Sequence, residues 1–285
     1  MTRALTPDDI ASAFEAACLA ELDALKPGNV HRFGDGHGMS VADFEKSAHE
    51  AAPPLAQAPT VGLRIRHAAE ATARVVGQNT NLGILLLCAP LAQAALDPSP
   101  GPLRDRLKSV LRNLDVEDAR QTYAAIRLAQ PGGMGASARH DLGAEPNVSL
   151  LEAMREAETR DRIAWNYTHA FADIFDLGVP LLRVASGHQP SQAFAIAELY
   201  LRLLSAIPDT LILRKHGSKI ASQVIENASE TLAAFQSAQS VPQRIGALLA
   251  LDKSLKERGL NPGTTADLTV ATLFAMAVER AEAAT

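Results

Sequence analysis

Five acidic residues occupy positions where a helical pattern would place apolar side chains. Glu21, Asp161 and Asp252 each continue an apolar stripe at three- and four-residue spacing, which directs their side chains inward. Asp209 directly precedes a short apolar segment, and Asp267 lies in the expected first turn of an apolar final helix. Burying an unpaired carboxylate costs several kcal/mol, so each of these acids requires a partner.

Two kinds of partner would satisfy these carboxylates. The protein itself can satisfy single acids: Asp267 through the dipole of its helix, and Glu21 or Asp161 through an arginine such as Arg214. A shared cation explains the whole set more economically, and Mg²⁺ is usually held by one or two carboxylates together with substrate phosphates. This second explanation predicts a magnesium site formed by Glu21, Asp209, Asp252 and Asp267.

Three polar loops provide complementary chemistry. Residues 26–29, 79–81 and 261–265 combine flexible backbone with polar side chains, and the last two lead into helix N-termini, which favour anions. The basic residues 214–216 add positive charge, while no P-loop and no GxGxxG motif occurs. We therefore predict that a nucleotide or other phosphorylated ligand is bound by Lys26, Gly28, Asn29, Asn79, Thr80, Asn81, Arg214, Asn261, Gly263, Thr264 and Thr265.

Two histidines flank a glycine-rich loop in the N-terminal part of the chain. His31 and His37 lie on either side of Asp35. Imidazole groups in such a loop suit ligand binding or acid–base chemistry. A flexible surface loop without chemistry is the alternative explanation, and the sequence leaves both open.

The elements that must position these residues are helices. Thr6-Pro7-Asp8-Asp9 is typical of a helix start, and residues 77–81 break the chain before an apolar helix that begins at Leu82. Further helices are expected over about 150–176 and 265–282, and another helix should end before Pro53. No segment alternates with period two, and no linker marks a domain boundary. The prediction is an all-α, single-domain bundle over 1–285 with buried central helices.

Composition limits the classes of partner and compartment. Net charge is −5, which provides no general reason to bind nucleic acid or an anionic membrane. The apolar run 82–96 is interrupted by Pro90 and is too short to span a bilayer. Cys18 and Cys88 lie in apolar runs as buried, unpaired thiols, and the N-terminus lacks a secretory signal, so we expect a cytoplasmic protein. An alanine-rich helix face would allow a homodimer.

The motifs occur in the order found in a known family. They are Lys26-Pro27-Gly28-Asn29-Val30, Asn79-Thr80-Asn81-Leu82-Gly83, Asp209-Thr210 with Arg214 and Gly217, Asp252, and Asn261-Pro262-Gly263-Thr264-Thr265-Ala266-Asp267-Leu268. Over nearly the whole chain, from about residue 10 to 275, the sequence resembles the triphosphoribosyl-dephospho-CoA synthase family. The resemblance implies an all-helical fold.

That resemblance also implies a reaction and its ligands. The family transfers the 5-triphosphoribosyl unit of ATP to the ribose 2′-hydroxyl of dephospho-CoA and expels adenine. Breaking the N-glycosidic bond develops positive charge on the sugar, which carboxylates would stabilise, and one carboxylate would act as general base. We therefore assign catalytic roles to Glu21, Asp161 and Asp267, with ATP as substrate and Mg²⁺ on the triphosphate.

Two departures from the family pattern keep other functions open. Typical members carry Thr-His-Lys-Gly where this chain has residues 80–83, and their Gly-Ala-Arg-Gly-Glu segment is replaced by Pro131–Gly135. This form resembles a divergent branch in methanogens and methylotrophs, which implies a different acceptor or donor in one-carbon cofactor synthesis of the methanopterin or methanofuran type. A non-catalytic helical partner of a biosynthetic complex is a third hypothesis.

Overall fold

The computed structural model describes residues 4–130 and 144–284, so segment 131–135 lies outside the described residues. Within these ranges the chain forms α-helices and one π-helix, with no strand beyond two isolated bridges in residues 31–39. The prediction of an all-α fold is confirmed.

The helices follow one another along the chain, and most of the connections are short, apart from residues 24–40 and 130–149. Their bounds are α1 (Pro7–Asp23), α2 (Val41–Gln57), α3 (Val61–Val76), α4 (Leu82–Ala95), α5 (Leu103–Arg112), α6 (Val116–Ala129), α7 (Leu150–Ala157), α8 (Arg162–Thr168), the π-helix (Asp173–Gly178), α9 (Val179–His188), α10 (Gln192–Ala206), α11 (Thr210–His216), α12 (Ser218–Ser237), α13 (Val241–Glu257) and α14 (Gly263–Ala284).

Side-chain caps explain where several of these helices begin. Five helices begin with a capping box, in which the side chain of the capping residue accepts a hydrogen bond from the backbone N–H of the third helical residue. The side chain of that third residue accepts a hydrogen bond from the backbone N–H of the capping residue. The capping residues are Thr6, Ser40, Asp115, Ser149 and Ser240. Each reciprocal pair satisfies backbone N–H groups that have no partner inside the helix. The sequence therefore specifies these helix starts locally.

Helix α4 lies at the centre of the main core. It is buried on nearly every side, as its continuous apolar sequence predicts. The Tyr167 hydroxyl of α8 donates to the Leu86 carbonyl at 2.6 Å, and Phe14 of α1 meets Phe274 of α14 edge to face at 6.1 Å. A second, smaller apolar cluster joins α10 to α13 around Tyr200.

The expected single helix over 150–176 is wrong. The chain instead forms α7, α8 and the π-helix, with breaks at residues 158–161 and 169–172. Asp161 accepts hydrogen bonds from the backbone N–H groups of Ile163 and Ala164 and is the N-cap of α8. Its place in the apolar stripe therefore reflects a helix start, which periodicity alone did not distinguish from a helix interior.

Helix α2 does not end before Pro53 as expected. It continues through Pro53 and Pro54 to Gln57. The carbonyls that lose their partners belong to the exposed residues His49 and Glu50, where water can replace the missing bonds. Arg64 also donates to the carbonyls of the last turn, at Leu55 and Ala56, both at 2.6 Å.

Two expectations from composition concern the thiols and the membrane. Cys18 and Cys88 are both buried and unpaired, as predicted. No helix in the described part of the chain combines the length and apolarity needed to cross a bilayer.

Candidate functional site

The N-termini of helices α4, α8, α11 and α14 converge at one place. Thr210 at the start of α11 accepts a hydrogen bond from the Arg162 N–H of α8 at 3.2 Å, and its hydroxyl pairs with that of Thr264 on α14 at 3.1 Å. Gly83 at the start of α4 packs against the carboxylate of Asp267 on α14. Helix N-termini carry partial positive charge, so their convergence favours negatively charged groups.

Asp209 joins two of these helices through four hydrogen bonds. Its Oδ1 accepts from the N–H groups of Leu211 and Ile212, both at 3.1 Å, and its Oδ2 accepts from the N–H and hydroxyl of Thr265 at 2.8 and 2.9 Å. Burial raises the pKa of the Asp209 carboxyl, and these hydrogen bonds oppose that rise. Both oxygens are thus used to fix α11 against α14.

Asp161 is held by an arginine. Its Oδ1 caps α8 with bonds of 2.9 and 3.1 Å, while its Oδ2 forms an ion pair with Arg214 of α11. The Arg214 Nε–H is buried and has no partner among the described residues. The explanation that Asp161 pairs with Arg214 therefore describes the structure, and one donor of this guanidinium is buried without a partner among the described residues.

Glu21 is inward-facing as predicted, and its partner is Lys26. The Lys26 ammonium is completely buried, forms an ion pair with Glu21 and donates to Asn29 Oδ1 at 3.1 Å. Asn29 in turn donates to Asn261 Oδ1 at 2.8 Å. Burial raises the pKa of the Glu21 carboxyl and lowers that of the Lys26 ammonium. This chain of contacts sets the position of Asn261.

Asp252 supports the loop that follows α1. It accepts from the Gly28 N–H at 2.8 Å and lies 3.3 Å from His31 and 3.2 Å from Lys256. Burial would raise the pKa of Asp252, but the bonds from His31 and Gly28 outweigh it and hold the pKa below its usual value. Lys256 was not predicted as part of the site, although it lies one helical turn from Asp252.

Asp267 differs from the other four acids. No hydrogen bond or ion pair reaches its half-buried carboxylate from any residue in 4–130 or 144–284. It is the fifth residue of α14, beyond the first turn where it was expected, so capping does not account for it. Burial, followed by the charges of Asp209, Glu21 and Asp161, raises its pKa well above the usual value, while Arg214 opposes the rise.

The four acids predicted to share a magnesium ion do not form a cage. Across the described ranges, no group of three or more His, Cys, Asp or Glu side chains is placed to hold a metal ion. Glu21, Asp209 and Asp252 have protein partners, whereas Asp267 is the one of the four without a partner among the described residues.

A cavity of about 630 Å³ opens beside the converging helices. Among the residues predicted to bind phosphate, Asn79, Asn81 and Asn261 line it. His37 from the histidine loop and the basic residues Lys215 and His216 also line it. The cavity thus offers amide groups and positive charge on a partly apolar wall, which suits a nucleotide.

Other predicted phosphate-binding residues are engaged within the protein. The Thr80 hydroxyl lies 2.5 Å from that of Ser47, and Thr264 and Thr265 bond to α11 and Asp209. Gly28 has a φ of +81° and lies against Pro262, where a side chain would not fit. Gly263 likewise packs directly against Leu211. Most of the motif residues therefore shape the site.

Comparison with known proteins decides the family. The sequence model of the ATP:dephospho-CoA triphosphoribosyl transferase family (CitG) matches residues 7–285. The chain belongs to this family. It is a transferase by that membership, and the resemblance carried by the five motifs is confirmed.

A solved structure is similar to this family member. It is the crystal structure of a proposed triphosphoribosyl-dephospho-CoA synthase from Archaeoglobus fulgidus, with 27% sequence identity and a TM-score of 0.62. The likeness covers 80% of this chain and 95% of that one. No curated protein sequence gives a significant match.

One of the two departures from the family's sequence motifs lies on the cavity wall. Leu82, which stands where the motif of typical members has lysine, lines the cavity beside Asn81. An apolar side chain there removes a positive charge from the wall of this transferase.

Proposed function

We propose that the chain transfers the 5-triphosphoribosyl unit of ATP to an acceptor hydroxyl and releases adenine. The acceptor that the family membership supports first is dephospho-CoA. The observation that carries the proposal is the Asp267 carboxylate, which has no partner among the described residues. It packs against Gly83, the residue that follows Asn81 and Leu82 on the wall of a cavity of about 630 Å³.

The chemistry requires a negative group beside the sugar. As the C1′–N9 bond breaks, positive charge develops on the ribose ring, and a fixed carboxylate in a poorly solvated site stabilises that charge. Asp267 has the free oxygens for this role. Asp161 and Glu21 would act indirectly, since Asp161 holds Arg214 and Glu21 holds the Lys26–Asn29 chain that ends at Asn261.

The phosphates require the opposite charge. Lys215 and the amides of Asn79, Asn81 and Asn261, all on the cavity wall, would bind the triphosphate, and Arg214, next to Lys215 in α11, adds positive charge. The Gly83 and Ile84 N–H groups at the start of α4 add to this, because Asn81 caps that helix without a side-chain bond. The Leu82 N–H already donates to Asn79 Oδ1 at 3.1 Å.

The carboxylates that have no protein partner also determine where Mg²⁺ could bind. Mg²⁺ commonly takes one or two protein carboxylates and completes its shell with phosphates and water. Asp267 fits such a site, whereas the satisfied Glu21, Asp209 and Asp252 do not. When bound with ATP, Mg²⁺ would neutralise phosphate charge.

Adenine release from ATP tests the proposal. Purified protein is incubated with ATP and Mg²⁺, with and without dephospho-CoA, and adenine is quantified by chromatography. We expect release that depends on the acceptor and is lost in Asp267→Asn. Absence of adenine with every acceptor, together with no ATP binding by calorimetry, would leave the non-catalytic partner hypothesis in its place.

A different acceptor is the second candidate function. Leu82 on the cavity wall favours it, since the lost positive charge would otherwise contact a phosphate of a substrate. Adenine release that requires a one-carbon cofactor precursor and not dephospho-CoA would establish this candidate. Leu82→Lys should then shift activity towards dephospho-CoA.

A further inference from the structure

We propose that His37 is a catalytic residue that takes the proton from the acceptor hydroxyl. The inference rests on the proposed function and adds the identity of the general base. Its basis is an imidazole that faces the cavity with one ring nitrogen fixed by the protein and the other without a partner.

The position of His37 suits contact with a substrate. It lies in the non-helical segment 31–39, its side chain is exposed, and it lines the same cavity as Asn261 and Lys215. The acids Glu21, Asp209 and Asp252, by contrast, are bonded within the protein. His37 is thus a base that an entering hydroxyl can reach.

The hydrogen bond of His37 determines its tautomer. Nε2 lies 2.8 Å from the Gly28 carbonyl oxygen. A carbonyl only accepts, so Nε2 carries the hydrogen and donates it. In the neutral imidazole the other nitrogen, Nδ1, then has a free lone pair, and no described residue bonds to it. Nδ1 is therefore ready to accept a proton.

The backbone around His37 is held in an uncommon conformation. His37 has a φ of +57°, in the left-handed region that side chains other than glycine seldom occupy. Such conformations persist only where surrounding contacts impose them, and they cluster at functional sites. Lys256 supplies contacts here: its ammonium donates to the Gly34 carbonyl at 3.0 Å and lies 3.2 Å from Asp252.

His216 is the competing base on the cavity wall. It follows Arg214 and Lys215 directly, at the exposed C-terminal end of α11. No hydrogen bond in the described structure fixes its ring. His37 has both a defined tautomer and a defined position, so we assign the role to His37.

The acceptor O–H proton moves to His37 Nδ1 while the acceptor oxygen forms a bond to C1′ of the ribose. The C1′–N9 bond breaks, its electron pair leaves with adenine, and adenine takes up one proton from water. The His37 imidazolium then returns its proton to water, so the reaction releases no net proton.

Two substitutions of His37 test the assignment. In His37→Asn, asparagine tolerates the left-handed backbone but supplies no base. We expect kcat for adenine release to fall about a hundredfold or more, with KM for ATP nearly unchanged. In His37→Gly, added imidazole should restore at least about a tenth of the lost kcat, which a merely structural role would not allow.

The control is His49→Asn, on an exposed imidazole whose hydrogen bond within the described residues goes to Glu15 at the surface. It should keep wild-type kinetics. The assignment is overturned if His37→Asn keeps the wild-type kcat, if only KM rises, or if imidazole fails to rescue folded His37→Gly. A ¹⁵N NMR spectrum showing neutral His37 protonated at Nδ1 would also overturn it. Wild-type protein that releases no adenine would instead defeat the proposed function, and this inference with it.

Discussion

Two carboxylates on the contacting helices α10 and α14 have opposite surroundings. Glu198 on α10 is completely buried and accepts hydrogen bonds from Gln189 at 2.6 Å, Gln236 at 3.0 Å and Arg202 at 2.7 Å. Burial alone would raise the pKa of Glu198, but these bonds and the charge of Arg202 hold it below its usual value. Asp267 has no such partner in the described part of the chain, and its pKa is raised well above the usual value.

The comparison shows that Glu198 stabilises the fold, whereas Asp267 lies in an environment that disfavours its ionised form. Glu198 connects α9, α10 and α12 through its bonds, and breaking such a network destabilises a protein. The unpaired Asp267 contributes nothing comparable to stability. A residue kept in an unfavourable environment beside a cavity is a candidate for chemistry.

The largest expected effect is on catalysis at Asp267. Asp267→Asn should lower kcat for adenine release by about a hundred- to a thousandfold, because the negative charge beside the sugar is lost. Thermal unfolding should show stability equal to or above that of the wild type, since no partner is left unpaired. A variant that unfolds well below the wild type would show that Asp267 has a structural role like that of Glu198.

Glu198 should show the reverse behaviour. Glu198→Gln removes the charge from a buried network and should lower the free energy of unfolding by about 3 kcal/mol in urea titrations. Adenine release per folded molecule should not change. Glu230→Gln on the exposed face of α12 serves as the matched control and should leave the free energy of unfolding within about 0.5 kcal/mol.

Gly83 tests whether the placement of Asp267 matters. A methyl group at Gly83 would overlap the Asp267 carboxylate, lying 2.5 Å from its Cγ and 2.9 Å from Ile163 Cδ1. Gly83→Ala should therefore destabilise the protein by about 2 kcal/mol and reduce adenine release. In Gly246→Ala on α13, where nothing lies within 4 Å, stability should be unchanged or higher. Equal behaviour of the two variants would contradict the close packing at Asp267.

The smallest expected effect is the pH dependence of the Glu198 contribution. Because the pKa of Glu198 is lowered in the folded state, its carboxylate contributes its full stabilisation above the unfolded-state pKa of about 4.3. That stabilisation is lost as the pH falls through the folded-state pKa. The difference in unfolding free energy between wild type and Glu198→Gln should thus shrink between about pH 6 and about pH 3. A constant difference would show that Glu198 acts through packing.

Local sequence patterns predicted the helices with strong caps and the buried α4. They also placed Glu21 and Asp252 on inward faces, where both are buried. They failed at residues 150–176, because a cap aspartate and an interior aspartate have the same spacing from apolar neighbours. The helix α11 was missed because a seven-residue helix shows too little periodicity to detect.

The sequence alone determined an all-helical chain with acids on inward faces and polar loops before helix N-termini, since capping and periodicity are local properties. Only the tertiary structure decided which acids have partners. Lys26 reaches Glu21 within five residues, but Asp209 meets Thr265, and Asp252 meets Gly28, only when distant helices pack together. The free carboxylate of Asp267 is likewise visible only in the tertiary structure, where no described residue donates a hydrogen bond to it.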